Sequence, residues 1–138
     1  MRIFFLIFLL TPPAFGILLL LRAGEQLRNF LRTTPVLGSS ADLETLKSLA
    51  RQQMFTSLIQ AFILGLPILA FGGGILFHVL YPSDFIWILL PSVLVILAAL
   101  RIRSDEKQVW SIPAENSQLE GERDRIISCW RFKAFPDF

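Results

Sequence analysis

The chain has 138 residues, 54% of them hydrophobic and 17% charged, a length for one domain and a composition well to the apolar side of soluble domains, where about 25% of residues are charged. Asp, Glu, Lys and Arg are absent from Ile3 to Leu21, from Gln52 to Ser83 and from Phe85 to Leu100, and a helix needs about 20 such residues to cross about 30 Å of hydrocarbon. This excludes a soluble enzyme, a nucleic-acid binder and a disordered tail, and a net charge of +2 is too small to imply a polyanionic partner.

At the N-terminus, Arg2 followed by Ile3 to Leu10, with Ala14 and Gly16 near cleavage spacing, has the layout of a signal peptide. Cutting there would leave Ile17 to Leu21 as a bare apolar end. With Pro12-Pro13 in its middle, the stretch reads instead as an uncleaved, kinked first span, since neighbouring helices can satisfy carbonyls freed by proline. Leu27, Phe30 and Leu31 then recur at helical spacing beside Arg28 and Arg32, the pattern of an amphipathic stretch at the headgroup level. Thr34-Pro35 ends it.

Ser39 with Asp42 three residues later resembles a capping box. Leu43, Leu46, Leu49 and Ala50 continue at helical spacing, so a helix from near Ala41 is expected to run into a second span, about 54–80. That span must tilt or bend, with Pro67 and Gly72-Gly73-Gly74 as the places for it. Tyr81-Pro82-Ser83-Asp84 is a turn, Asp84 being read as a solvated turn residue. The third span, about 85–100, carries Pro91, and Tyr81, Phe85 and Trp87 mark an aromatic belt. The expected division is a membrane domain over 1–100, including the loop 22–53, and a soluble tail over 101–138. In the tail Val109 to Pro113 reads as an extended apolar strip, and a helix is expected over about 117–132, opened by Asn116-Ser117 and Glu120.

The Lys/Arg bias of short loops sets orientation. Arg22, Arg28, Arg32, Lys47 and Arg51 lie in the first loop and Arg101, Arg103 and Lys107 follow the third span, against Arg2 and the amino group of Met1 on the other side. The expectation is an N-terminus outside, with the first loop and C-terminus cytoplasmic or in the topological equivalent.

Candidate sites are few. Ala61, Gly65 and Gly72 share one face of the second span, and Ala70 with Gly74 forms a second small pair on roughly the opposite face. Small residues let membrane helices approach closely, so this helix is expected to be sandwiched between two neighbours: the first and third spans, or another protein. Gln60, Pro67, Gly74 and His78 fall in one stripe, and polar groups within spans are functional hypotheses by default. His78 is a weak axial-ligand candidate for a flat tetrapyrrole, Gly74 leaving room above the ring; the ordinary explanation is a capping or wet histidine at the membrane surface. One histidine and one cysteine exclude two-histidine zinc signatures and a disulfide framework. The glycine triplet lacks the context of a phosphate loop. Lone Cys129 is read as a buried or idle thiol rather than a lipidation or redox site.

In the tail, Leu119, Arg123, Ile126, Ile127 and Trp130 fall on one side of the expected helix. A helix this short is marginal in water and its charges are mixed rather than basic, so Leu119, Ile126, Ile127 and Trp130 are expected to dock on protein, either the chain's own loop or a partner. Together these readings give an all-α integral membrane protein with three transmembrane helices, a short interfacial stretch and a cytoplasmic tail helix. No catalytic constellation, cofactor, metal or small-molecule substrate is expected, and the bilayer and a protein partner are. The functional expectation is a non-catalytic accessory subunit or assembly factor of a larger membrane complex, the alternative a transport or channel component that self-associates. A pore should present several polar groups in its spans, and here Gln60 and His78 stand nearly alone.

Overall fold

The computed structural model describes residues 2–138. Helix α1 is Arg2–Thr33 and α2 is Ser40–Leu76; a 3-10 helix, Pro82–Phe85, leads into α3, Ile86–Trp110, and α4 is Ser117–Phe132. The fold is all-helical, 83% helix with no strand among the described residues. Three segments are long and apolar enough to cross a membrane: α1, α2, and the 3-10 helix continued by α3. The Met1 amino group used in the charge count lies outside the described residues.

All three long helices extend beyond their apolar runs, α1 and α3 past the C-terminal end of the run and α2 ahead of its start. α1 continues through Pro12 and Pro13 and ends at Thr33, where Thr34 N–H still reaches Phe30 O (2.8 Å) but Pro35 blocks another turn. α2 opens on a reciprocal cap. Ser39 Oγ accepts from Asp42 N–H (3.2 Å), while Asp42 Oδ2 accepts from the N–H groups of Ser39 (3.0 Å) and Gly38 (3.1 Å), satisfying amides that have no partner inside the helix. Its 37 residues extend about 55 Å, well beyond the about 30 Å of hydrocarbon that a span crosses. α3 runs on through Arg101 to Trp110, which corrects the expectation of an extended strip from Val109; between α3 and α4 only Ser111 to Asn116 is non-helical.

The packing order also differs from expectation. The helix in the middle is α1, which lies along both α2 and α3, while α2 and α3 barely touch. Along one seam of α1 lie the buried Leu9, Pro13, Gly16, Leu20, Ala23, Leu27 and Phe30, in alternating steps of four and three, with Gly24 buried beside Ala23. This is the roughly 3.5-residue period that keeps one seam facing a partner helix along its whole length. The matching seam on α2 is Gln53, Gln60, Pro67 and Gly74, and that on α3 is Ile88, Val95 and Val109 with half-buried Ile102 between them. Close approach comes from glycines of α1. A Cβ on Gly16 would sit 3.0 Å from both Gln60 Oε1 and Ile63 Cγ2, and one on Gly24 would sit 3.3 Å from Ile102 Cγ1.

Two cores result. At one end, Leu9, Leu80 and Ile88 gather with Phe5, Phe71 and Ile75 around the α2–α3 turn. At the other, a larger core joins Leu27 and Phe30 of α1, Leu43 and Leu46 of α2, Val109 of α3, and Ile126 and Trp130 of α4. The two connectors at this end are tied together: Leu37 N–H donates to Pro113 O (2.9 Å) and Glu115 N–H donates to Leu37 O (3.1 Å).

Candidate functional site

The polar groups of the α1–α2 seam hold the bundle together. Gln53 Nε2 donates to Ala23 O (3.1 Å) and Gln60 Nε2 to Gly16 O (2.8 Å). The glutamines are seven residues apart and so are their acceptors, in opposite chain directions, which sets an antiparallel register. Both side chains are buried, at 2% and 8% exposure, where polar groups are costly unless bonded. Sequence reading singled out Gln60 and passed over Gln53, although their seven-residue spacing was visible; it also missed Gly16 and Gly24, because a glycine's partner is set by which helix lies next to it.

The small residues of α2 divide differently from expectation. Gly74 is packed: a Cβ there would meet Leu80 at 2.6 Å and Phe5 at 3.0 Å, and Ala70 packs on the same core. Ala61 and Gly72 are exposed, and a Cβ added at Gly65, Gly72 or Gly73 would meet nothing within 4 Å beyond the helix's own adjoining backbone. The sandwich of α2 between the other spans is thus corrected: one small face is filled from within the chain and the other is open.

The space beside Gly74 that would have cleared a ring over His78 is taken by Leu80 and Phe5. His78 itself is outside the helix, with φ 55, in the left-handed region. Val79 N–H bonds Gly74 O (2.9 Å) and His78 N–H bonds Ile75 O (2.9 Å), the pair of bonds that closes a helix around a left-handed residue. These contacts make His78 the terminator of α2, so the helix stops at Leu76 rather than near Leu80, and leave no clearance for a flat macrocycle at Gly74. Asp84 is corrected as well. It is 3% exposed rather than solvated, and its Oδ2 accepts from Tyr81 N–H (3.0 Å) to cap the 3-10 helix.

The tail stripe is covered by the chain itself. Leu119, Ile126, Ile127 and Trp130 are all buried, with Leu119, Ile126 and Trp130 in the larger core beside Leu43 and Leu46. Arg123 Nη1 donates to Ile112 O (2.9 Å), and Trp130 meets Trp110 edge-on with ring centroids 5.9 Å apart. A partner cannot use these side chains while the core is intact. Asn116 Oδ1 caps α4 by accepting from Leu119 N–H (2.9 Å). Cys129 is buried, its thiol donating to Asp137 Oδ1 (3.0 Å), and Asp137 also takes Lys133. Burial first, and then the bond to Asp137, push the Cys129 thiol above its ordinary range. The bonds from Cys129 and Lys133 hold the Asp137 carboxyl below its ordinary range.

Because α2 and α3 diverge on either side of α1, a cleft of about 560 Å³ opens between them. Its inner wall is Leu20, Leu58, Ala61, Leu64 and Ala99; its mouth, at the α4 end, carries Arg103, Glu106, Trp110, Arg131 and Lys133. Two buried polar atoms of lining residues lack any bond, Gln60 Oε1 and Trp110 Nε1. No three potential metal ligands cluster anywhere among the described residues. No protein-family model, curated protein or solved structure matches the chain.

Proposed function

We propose that the chain is a non-catalytic membrane protein that packs as an accessory or stabilising subunit against a helix of a larger membrane assembly. The observation that carries this reading is the open face of α2, where a Cβ at Gly65, Gly72 or Gly73 would meet nothing within 4 Å. Glycine costs about 1 kcal/mol relative to alanine in a helix interior and offers lipid almost no contact area, whereas it lets a second helix come close. The polar groups of the spans support the same reading. Gln53, Gln60 and Asp84 bond the chain's own backbone, so they hold the scaffold and do not line a conduction path.

The orientation proposed with this function puts the first connector and α4 on the cytoplasmic side, from the eight basic side chains flanking that end. The partner helix would then enter α2 beyond Ala61, toward the outer half of the bilayer.

Affinity purification of the full chain in mild detergent, followed by mass spectrometry, tests the proposal. A discrete heteromeric complex is expected, and Gly72→Leu should reduce the recovered partner about tenfold, the equivalent of about 1.4 kcal/mol. Ile68→Leu, on an exposed position of the same helix, should leave recovery unchanged. A homo-oligomer, or a complex indifferent to Gly72→Leu, overturns the assignment.

A further inference from the structure

We propose that the cleft between α2 and α3 binds one anionic phospholipid, with its phosphate at Arg103 and Arg131 and an acyl chain along Ala61, Leu64 and Ala99. The cleft is amphipathic along its length. On α2 its lining runs from Gln53 to Leu64, about 16 Å of helix: Gln53, Thr56 and Ser57 bring polar groups toward the mouth beside Met54 and Leu58, and beyond Gln60, whose amide bonds Gly16 O, the lining is apolar at Ala61 and Leu64. On α3 the same order appears, with Arg103 and Glu106 toward the mouth and Ala99 deeper. A molecule that fills it has a charged end and an apolar end in the sense imposed by the bilayer, because the apolar end lies within the spans and the mouth lies where they emerge.

Charge selects the headgroup. Three basic groups stand at the mouth against Glu106. Lys133 is occupied by Asp137, but neither Arg103 nor Arg131 has a carboxylate within ion-pair distance among the described residues. Arg131 is held in place, its guanidinium 5.3 Å over the Trp110 ring, which leaves its N–H fork free for the paired oxygens of a phosphate. Zwitterionic lipid would bring an ammonium or choline toward these same guanidiniums, so the site favours net negative charge. At about 560 Å³ the cleft has the volume that takes a drug-sized ligand, enough for one headgroup and part of one acyl chain, with the rest of the lipid in the bilayer.

The test uses the full chain released from micelles of a neutral detergent and titrated with phosphatidylglycerol or phosphatidylcholine of identical acyl chains, read by native mass spectrometry. One saturable adduct is expected with phosphatidylglycerol, at least fivefold preferred. The double variant Arg103→Gln/Arg131→Gln should bind it about thirtyfold more weakly, the loss expected for two basic groups at an anionic headgroup. Lys107→Gln, exposed and off the cleft, should bind as the parent does. Ala99→Phe, which fills the apolar half without touching the mouth, should abolish the adduct while the melting temperature stays within a few degrees; this keeps the test decisive even if losing Arg131 from Trp110 loosens α4. Equal binding of the two lipids, adducts that never saturate, or full binding by Ala99→Phe overturns the proposal. So does glycerol phosphate that binds as tightly as the lipid, which would mean a water-soluble phosphate site instead.

Discussion

Cys129 shows how a residue's chemistry is decided by its neighbours. A reactive cysteine needs a thiolate and access; here the side chain is buried and its thiol donates to a carboxylate, both of which favour the protonated form. Because the folded state holds the proton more tightly than the unfolded chain, this stabilisation is complete below the ordinary value of 9.0 and is lost as pH rises through the raised one. Iodoacetamide should therefore modify the native protein slowly at neutral pH, and quickly only in alkali or denaturant. Asp137→Ala removes the acceptor that raises the thiol, so it should speed modification at pH 8 several-fold, as mass spectrometry of the modified peptide would show. Equal rates in parent and variant would mean that burial alone protects the sulfur. His78 is a second case at this scale: its identity suggested ligand chemistry, and its backbone, at φ 55, makes it a helix terminator.

At the scale of elements, the two kinds of glycine in the spans have opposite roles. Gly16 is a point of close approach between α1 and α2, where a Cβ would meet Gln60 and Ile63 at 3.0 Å. Overpacking of this sort costs about 1–3 kcal/mol, so Gly16→Leu should lower the unfolding midpoint of the purified chain in detergent. A Cβ at Gly65 would meet nothing within 4 Å. Gly65→Leu should leave the isolated chain unchanged, or stabilise it by up to about 1 kcal/mol through better helix propensity. Circular dichroism melts of the two variants in the same micelle check the contrast, and equal losses would show that α2 is not seated on Gly16. Ile63 lies 8% exposed against this junction, so even Ile63→Leu is a core change.

For the molecule as a whole, the two ends of the bundle are built differently. The end with the α2–α3 turn has a small core around Leu9, Leu80 and Ile88, while the other end recruits both connectors and α4 into the larger one. Eight basic side chains, from Arg22 to Lys107, cluster near this larger end, and the positive-inside bias is the ground for the proposal that it faces the cytoplasm. Because the native cysteine is buried, orientation is best read in a Cys129→Ser background. Ser83→Cys at the turn and Gln118→Cys on α4 both stand at exposed positions. A membrane-impermeant maleimide should label the Ser83→Cys variant in intact cells and the Gln118→Cys variant only after the membrane is opened; the reverse pattern would invert the topology.

Three apolar helices were legible because charge-free runs report on the solvent a helix meets, and that is a local property of composition. The end of α1 and the start of α2 were legible for a similar reason: Thr34-Pro35 removes the next helical bond, and Ser39 with Asp42 supplies the amide partners that a start requires. Which helix occupies the middle was not legible. Gly16 and Gly24 on α1 have no more sequence signal than Gly65 and Gly72 on α2, and only the partner across the gap distinguishes a packed glycine from an open one. The same holds for the stripe of Leu119, Ile126 and Trp130, whose periodicity demands a cover without naming it; the larger core at the connectors provides it from the chain's own residues. The cleft with Arg103, Trp110 and Arg131 at its mouth lay furthest from view, since it exists because two helices diverge from a third, and divergence is a property of three bodies rather than of any one segment.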